Sequence, residues 1–191
     1  MIRDMMIIAI VGLIGSGKTE ATQRFIERGF FRVGFNDVVY EELARRGMER
    51  TEGDERQIRL GLRQEFGMAV MAERSIPKIE RALSEDKHVV VESLYSWSEY
   101  KVVKDRFGDQ FKVLAVYAPP VLRYERLAAR PERPLDLQTA ISRDYSEIES
   151  VEKAGPIAMA DWTIQNTGAR AEFFTQVDEL VGQLLTGTDL T

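Results

Sequence analysis

The sequence predicts a three-layer α/β fold: a five-stranded, mainly parallel sheet flanked by helices, with a short helical lid. Three observations carry this. Short apolar runs alternate with helix-length stretches along the chain, and strands joined by crossover helices form parallel sheets covered on both faces. The first apolar run flows directly into Gly-Leu-Ile-Gly-Ser-Gly-Lys-Thr at 12–19, a glycine-rich turn that opens a helix. A chain of 191 residues suits one core, whereas dividing it would leave two marginal units.

The elements follow in order. Residues 6–11 are an apolar strand, and 18–28 a helix with Ala21, Phe25 and Ile26 near one face. Residues 30–35 form a second strand. Residues 38–46 are helical, with Gly47 as a C-terminal stop. Two more helices, 54–66 and 68–83, part near Gly67. Residues 88–92 form a short apolar strand ending in an acid. The helix 97–107 starts behind Ser96 and Glu99, which have capping-box spacing. Residues 111–117 form another strand. Pro119 and Pro120 suit the first turn of a helix reaching about residue 130, and Pro131 and Pro134 then break the chain. Asp136 caps a polar helix to about residue 151. Residues 162–165 are the last strand. The closing helix, 172–185, sets Phe173, Val177, Leu180, Val181 and Leu184 on one side. There is no internal repeat and no long linker.

Composition narrows the function. The absence of cysteine excludes disulfides, thiolate metal sites and cysteine nucleophiles, and permits a reducing compartment. A formal charge of −5 gives no broad surface for nucleic acid. Arg3 followed by apolar residues resembles a secretion signal superficially. Asp4 is misplaced for one, and cleavage would cut the glycine-rich motif. The run is also too short to cross a bilayer. The expectation is a cytoplasmic protein with neither a membrane nor a nucleic-acid partner.

The motif at 12–19 is a complete phosphate-binding P-loop. Its backbone N–H groups turn inward around a polyphosphate, and the helix start adds a positive dipole end. Gly12, Ile14, Gly15, Ser16, Gly17, Lys18, Thr19 and Glu20 are therefore the expected nucleotide-binding residues. Lys18 would reach the β- and γ-phosphates, and the Thr19 hydroxyl would hold Mg²⁺. Ligands of such sheets sit beyond the carboxyl ends of the strands, so residues there are the further candidates. Asn36-Asp37 after the second strand reads either as a helix cap or as a carboxylate facing the acceptor. Glu92 ends three valines in a Walker-B-like way and would hold magnesium or polarise a substrate group; the alternative is a solvated strand end.

Arg126 and Arg130 share a helix face and suit phosphate oxygens, as catalytic lid residues. Arg123 reads as a surface residue, while Arg133 and Arg143 divide evenly between site and surface. Arg63 would bind an acceptor phosphate or pair with Glu65 or Asp54, and Arg59 has the same ambiguity. His88, at a strand start, reads as structural. Asn166-Thr167-Gly168 reads as a turn, or as a loop offering backbone groups to a purine.

Together these residues resemble the P-loop kinases of the adenylate kinase and dephospho-CoA kinase type, closest to adenylate-kinase-like proteins known best from archaea. The resemblance spans nearly the whole chain. Residues 12–19 match the phosphate loop, 34–39 are similar to the segment with the acceptor-side Asp, and 62–67 look like the Leu-Arg motif of the substrate helices. Arg123-Tyr124-Glu125-Arg126-Leu127 with Arg130 resembles the lid start, and 164–168, with Asn166 and Gly168, the loop that packs on adenine. The resemblance implies one kinase-like P-loop NTPase domain, with a core of 1–35, 86–122 and 154–191, acceptor-side helices at 36–85 and a lid at 123–153. It implies ATP as donor, Mg²⁺ as cofactor and a small nucleotide-like acceptor between Asp37, Arg63 and Glu92. The chain departs from the pattern with Glu92-Ser93 in place of Asp-Gly, and with Tyr95 where archaeal-type relatives often carry Arg. Both departures fall on the acceptor side. A nucleotide-dependent switch with slow hydrolysis is the alternative, although no Asn-Lys-x-Asp guanine motif is present. A kinase acting on nucleic acid is disfavoured by the acidic balance.

Overall fold

The computed structural model describes residues 5–187; Arg3 and Asp4, weighed above as part of a leader, lie outside the described residues, as do the outermost ends of the domain span. Five strands, β1 (Ile7–Val11), β2 (Phe31–Gly34), β3 (Val89–Glu92), β4 (Phe111–Tyr117) and β5 (Trp162–Gln165), form one sheet in the order β2-β3-β1-β4-β5. Every pairing is parallel, with β1 central: Ile7 lies opposite Val89 on one side and Phe111 on the other.

The pleat of β1 divides the core. Ile7, Ala9 and Val11 face a cluster with Phe35, Val39, Leu62, Met71, Ile79 and Val103. Ile8 and Ile10 face a cluster with Ala21, Phe25, Phe173, Val177 and Val181. Successive strand side chains point to opposite faces, so a fully apolar strand is what a sheet covered on both sides requires. The first cluster is built by α2 (Asp37–Arg45), α3 (Glu52–Phe66), α4 (Val70–Ser84) and α5 (Trp97–Phe107). The second is built by α1 (Lys18–Glu27) and α9 (Arg170–Thr186). Phe25 is wholly buried, and its truncation to Ala would cost about 3–5 kcal/mol. Three helices, α6 (Pro120–Ala128), α7 (Leu137–Glu149) and α8 (Ala154–Ala158), lie between β4 and β5 in the chain.

Local signals account for most boundaries. The Ser96–Glu99 capping box forms as its spacing predicts, with Glu99 N–H donating to Ser96 Oγ at 3.0 Å and Ser96 N–H to Glu99 Oε2 at 2.8 Å. Asp136 caps α7 by accepting from Thr139 N–H. The third helix starts earlier than expected because Thr51, not Asp54, is its cap: Thr51 Oγ accepts from Asp54 N–H at 3.2 Å. The fourth starts later, since the turn at Gly67 (φ +94°) delays it to Val70. The expected helix to residue 130 ends at Ala128, that to 151 ends at Glu149, and the short α8 was not foreseen.

Candidate functional site

Parallel strands place their following loops on one edge of the sheet. The loop after β1 (12–17), Asn36-Asp37 after β2, Glu92 at the end of β3, α6 after β4 and Asn166 after β5 therefore converge. The glycine loop is held open from both sides. A Cβ on Gly12 (φ +145°) would overlap the Val116 carbonyl, and one on Gly17 (φ +107°) would overlap the Asn166 amide. Asn166 Nδ2 donates to the Ser16 carbonyl at 2.9 Å, and Arg123 Nη1 donates to the Ile14 carbonyl at 3.0 Å. Lys18 arches back so that its ammonium donates to the Leu13 carbonyl at 2.9 Å. Ser16 Oγ is buried without a hydrogen-bond partner among the described residues. An inward-facing loop with a buried unpaired hydroxyl and an arched lysine fits a polyphosphate.

Burial pushes the Lys18 amine well below its ordinary 10.5; among charges, Lys153 lowers it most, Glu147 raises it, and Arg123 and Arg130 lower it further. Three of these charges, Arg123, Arg130 and Lys153, come from the segment between β4 and α8. Arg126 joins them: its Nη2 donates to the Asn166 main-chain O at 3.0 Å and to its Oδ1 at 3.3 Å, while Nη1 is buried without a partner among the described residues. Arg130 lies just beyond α6 and is exposed. Thr19 is exposed in the first turn of α1, and Glu20 pairs with Arg170 at 2.8 Å. Gly168 opens the turn before α9, against Glu172.

Arg123 departs from the expectation of a surface residue. It is 2% exposed, its guanidinium donates to Asp144 Oδ1 and Oδ2 at 2.8 and 2.6 Å, and its Nε donates to the Ala118 carbonyl. The fixed guanidinium fork matches a carboxylate, which is why Arg rather than Lys braces α6 to α7.

Beyond β2 and β3, Arg32 holds both expected acids. Its Nε donates to Glu92 Oε2 at 2.7 Å, and its two terminal nitrogens donate to the Asp37 carboxylate at 3.0 and 3.2 Å. Of the two readings for Asn36-Asp37, the side-chain cap does not form, since Asn36 makes no side-chain cap bond, and the Asp37 carboxylate lies on a guanidinium. Glu92 is likewise an ion-pair partner rather than a solvated strand end. Tyr95 OH donates to Ser93 Oγ at 3.3 Å and accepts from Asn36 Nδ2 at 3.5 Å. Ser93 has φ +67°, a conformation that costs a non-glycine residue about 1–2 kcal/mol.

Arg63 pairs with the buried Glu99 at 3.6 Å, not with Glu65 or Asp54. Burial lowers the Arg63 guanidinium from its ordinary value and raises the Glu99 carboxyl from its own, each group partly countering the shift in the other. The Nε atoms of Arg59 and Arg63 are buried without hydrogen-bond partners among the described residues. Arg143 pairs with Glu52, joining α7 to α3. His88 is structural, its Nδ1 accepting from Met6 N–H and its ring lying against Phe30.

Among the described residues, no group of three His, Asp or Glu side chains is placed to share a metal ion. Magnesium needs fewer protein ligands when phosphates supply the rest, so Thr19 suits it. Glu92 would first have to leave Arg32.

Two site residues escaped the sequence reading. Arg32 interrupts an apolar strand just before the loop bearing Asn36-Asp37, and that interruption was its only local signal. Lys153 is the sole Lys or Arg between Arg143 and Arg170, in an otherwise acidic stretch.

The AAA domain family profile matches residues 8–152. A UPF0200 protein of Thermococcus onnurineus is 35% identical over 183 residues, covering 94% of this chain and 98% of that protein. The dephospho-CoA kinase from Campylobacter jejuni superposes with a TM-score of 0.63 at 18% identity, over 96% of this chain and 98% of that one. A shikimate kinase from Bacteroides thetaiotaomicron gives 0.60 at 16% identity, over 95% and 98%. At such identities these two structures share the P-loop kinase fold with this chain.

Proposed function

This chain belongs to the AAA domain family and is a relative of the UPF0200 proteins, and on that premise we propose that it transfers a phosphoryl group from ATP to a small nucleotide-like acceptor. One observation carries the reading: the Lys18 ammonium arches back into the glycine loop onto the Leu13 carbonyl, and the positive charges of Lys153, Arg123 and Arg130 help to lower its amine. A polyanion is the ligand for which such an excess of positive charge is useful.

Gly12, Ile14, Gly15, Ser16 and Gly17 would bind the phosphates through the backbone, and Lys18 would hold the β- and γ-phosphate oxygens. Asn166 and Gly168 would line the base. Arg126 and Arg130 would neutralise charge that builds during transfer. Asp37, released from Arg32, would orient an acceptor hydroxyl and take its proton. Arg63 and Glu92 would hold the rest of the acceptor. Thr19, with Glu92 once Arg32 has let it go, would hold magnesium, which when bound neutralises charge on the phosphate oxygens.

An ADP-release assay with ATP, magnesium and a panel of nucleoside monophosphates and dephospho-CoA tests the reading. Acceptor-dependent release that vanishes in Lys18→Ala supports it; release independent of every acceptor contradicts it. That second result would favour the alternative of a slow nucleotide-dependent switch, for which one observation speaks: Arg32 is paired with both acids.

A further inference from the structure

Lys153 is 1% exposed and stands at the start of α8. Its ammonium donates to Glu147 Oε2 at 2.7 Å and lies 4.4 Å from the centre of the Tyr95 ring. Tyr95 follows β3, the neighbour of β1 in the sheet, so it lies at the sheet edge that also carries the phosphate loop. The hydroxyl of Tyr95 is fixed by Ser93 and Asn36. Lys153 therefore lies over Tyr95, whose hydroxyl reaches Ser93 and Asn36 just beyond β3 and β2.

The charge balance there is uneven. Among the described residues the buried Lys153 ammonium pairs with one carboxylate, Glu147, which is 26% exposed; after burial itself, the Lys153 charge is the one that lowers the Lys18 amine most. The next anion on the lid, Asp144, is already taken by Arg123. Like charges set near one another are costly unless an anion joins them.

We propose that Lys153 is a second phosphate-binding cation of this site, which leaves Glu147 to meet the terminal phosphate of a bound nucleoside triphosphate. The inference rests on the nucleotide-binding reading above and adds a residue to it. Glu147 acts as a stand-in anion that keeps Lys153 paired until a phosphate replaces it. Tyr95 holds the ammonium in line from below. The acceptor-side departure at Tyr95 then belongs to the recognition of the transferred group rather than of the acceptor's base.

The test is calorimetric titration with Mg-ADP and with the Mg complex of the imido analogue of ATP, which differ by the terminal phosphate. Lys153→Met is expected to weaken the analogue by about tenfold, as loss of a charge-assisted phosphate contact does, while ADP stays within about twofold. Lys153→Arg should bind the analogue more tightly than Lys153→Met. Glu147→Gln should tighten the analogue, because it removes the competing carboxylate. A merely structural pair would instead be weakened by either change, for both nucleotides alike. Equal losses for the two ligands, no loss in Lys153→Met, or a loss in Glu147→Gln would overturn the proposal. Should Lys153→Met fail to fold, Glu147→Gln and Lys153→Arg decide it by the sign of their effects. Failure of the unaltered protein to bind ADP would instead bring down the nucleotide reading beneath it.

Discussion

Replacing Arg123 by Met is expected to unsettle the α6–α7 pair and the phosphate loop together. The Arg123 and Asp144 side chains are 2% and 5% exposed, and the pair is bidentate. Without the guanidinium, the Asp144 carboxylate keeps only the Tyr124 hydroxyl at 2.8 Å. Leaving one member of a buried ion pair uncompensated costs about 3–5 kcal/mol, a large part of the roughly 5–15 kcal/mol that holds a domain folded. For a chain of this size that amounts to about 6–20 °C in Tm. The Arg123→Met/Asp144→Leu variant removes both charges and should regain about half of the loss or more, since apolar replacement of a whole buried pair is often close to neutral. Urea and thermal unfolding of the three proteins measure this. A single variant that loses less than about 1 kcal/mol, or a double variant no more stable than the single, would refute the reasoning. Because Arg123 also holds the Ile14 carbonyl, both variants should bind Mg-ADP more weakly than the unaltered protein.

Gly17→Ala should cost about 2–4 kcal/mol and nucleotide affinity, from positive φ plus overlap with Asn166; Gly29→Ala, at φ +93° with open space around it, should cost about 1–2 kcal/mol and leave affinity unchanged, and equal costs would contradict the role of the Asn166 contact. Hydrogen bonds from Arg45 and Arg46 hold the Glu42 carboxyl at about 2, down from 4.5. A depressed carboxylate stabilises the fold above its unfolded value, so this contribution is intact above pH 4.5 and fades as pH falls toward 2. Because both arginines are solvated it amounts to about 1 kcal/mol or less, and Glu42→Gln should flatten the acid limb of a denaturation series; an unchanged limb would speak against it. Nucleotide phosphates should raise the depressed Lys18 amine toward its usual value, so binding takes up protons at alkaline pH. Calorimetry in buffers of different ionisation enthalpy detects this, and proton release would contradict it.

The sheet and phosphate loop were legible because their signals are local. β1 is apolar at all five positions since both faces are covered, and the glycines of the P-loop stand where Cβ atoms would collide with Val116 and Asn166. Ser96 and Glu99 announced their helix start by spacing alone. What escaped depended on partners far away in sequence. Helix-face reasoning left Arg123 on the surface because Asp144 lies 21 residues on, in another helix. Arg63 was matched to neighbours along its own helix, while the fold supplies Glu99. Arg32 reaches Glu92 across 60 residues, and only the parallel pairing of β2 with β3 makes them adjacent.

The measurement that tests the central claim most directly is calorimetric titration of the folded protein with ATP in the presence of magnesium, run beside Lys18→Ala. The account predicts one triphosphate bound per chain and a loss of about 2–3 kcal/mol of binding free energy in the variant, with both proteins giving the same circular dichroism spectrum. Absence of uptake by the unaltered protein, or undiminished uptake by Lys18→Ala, would contradict it.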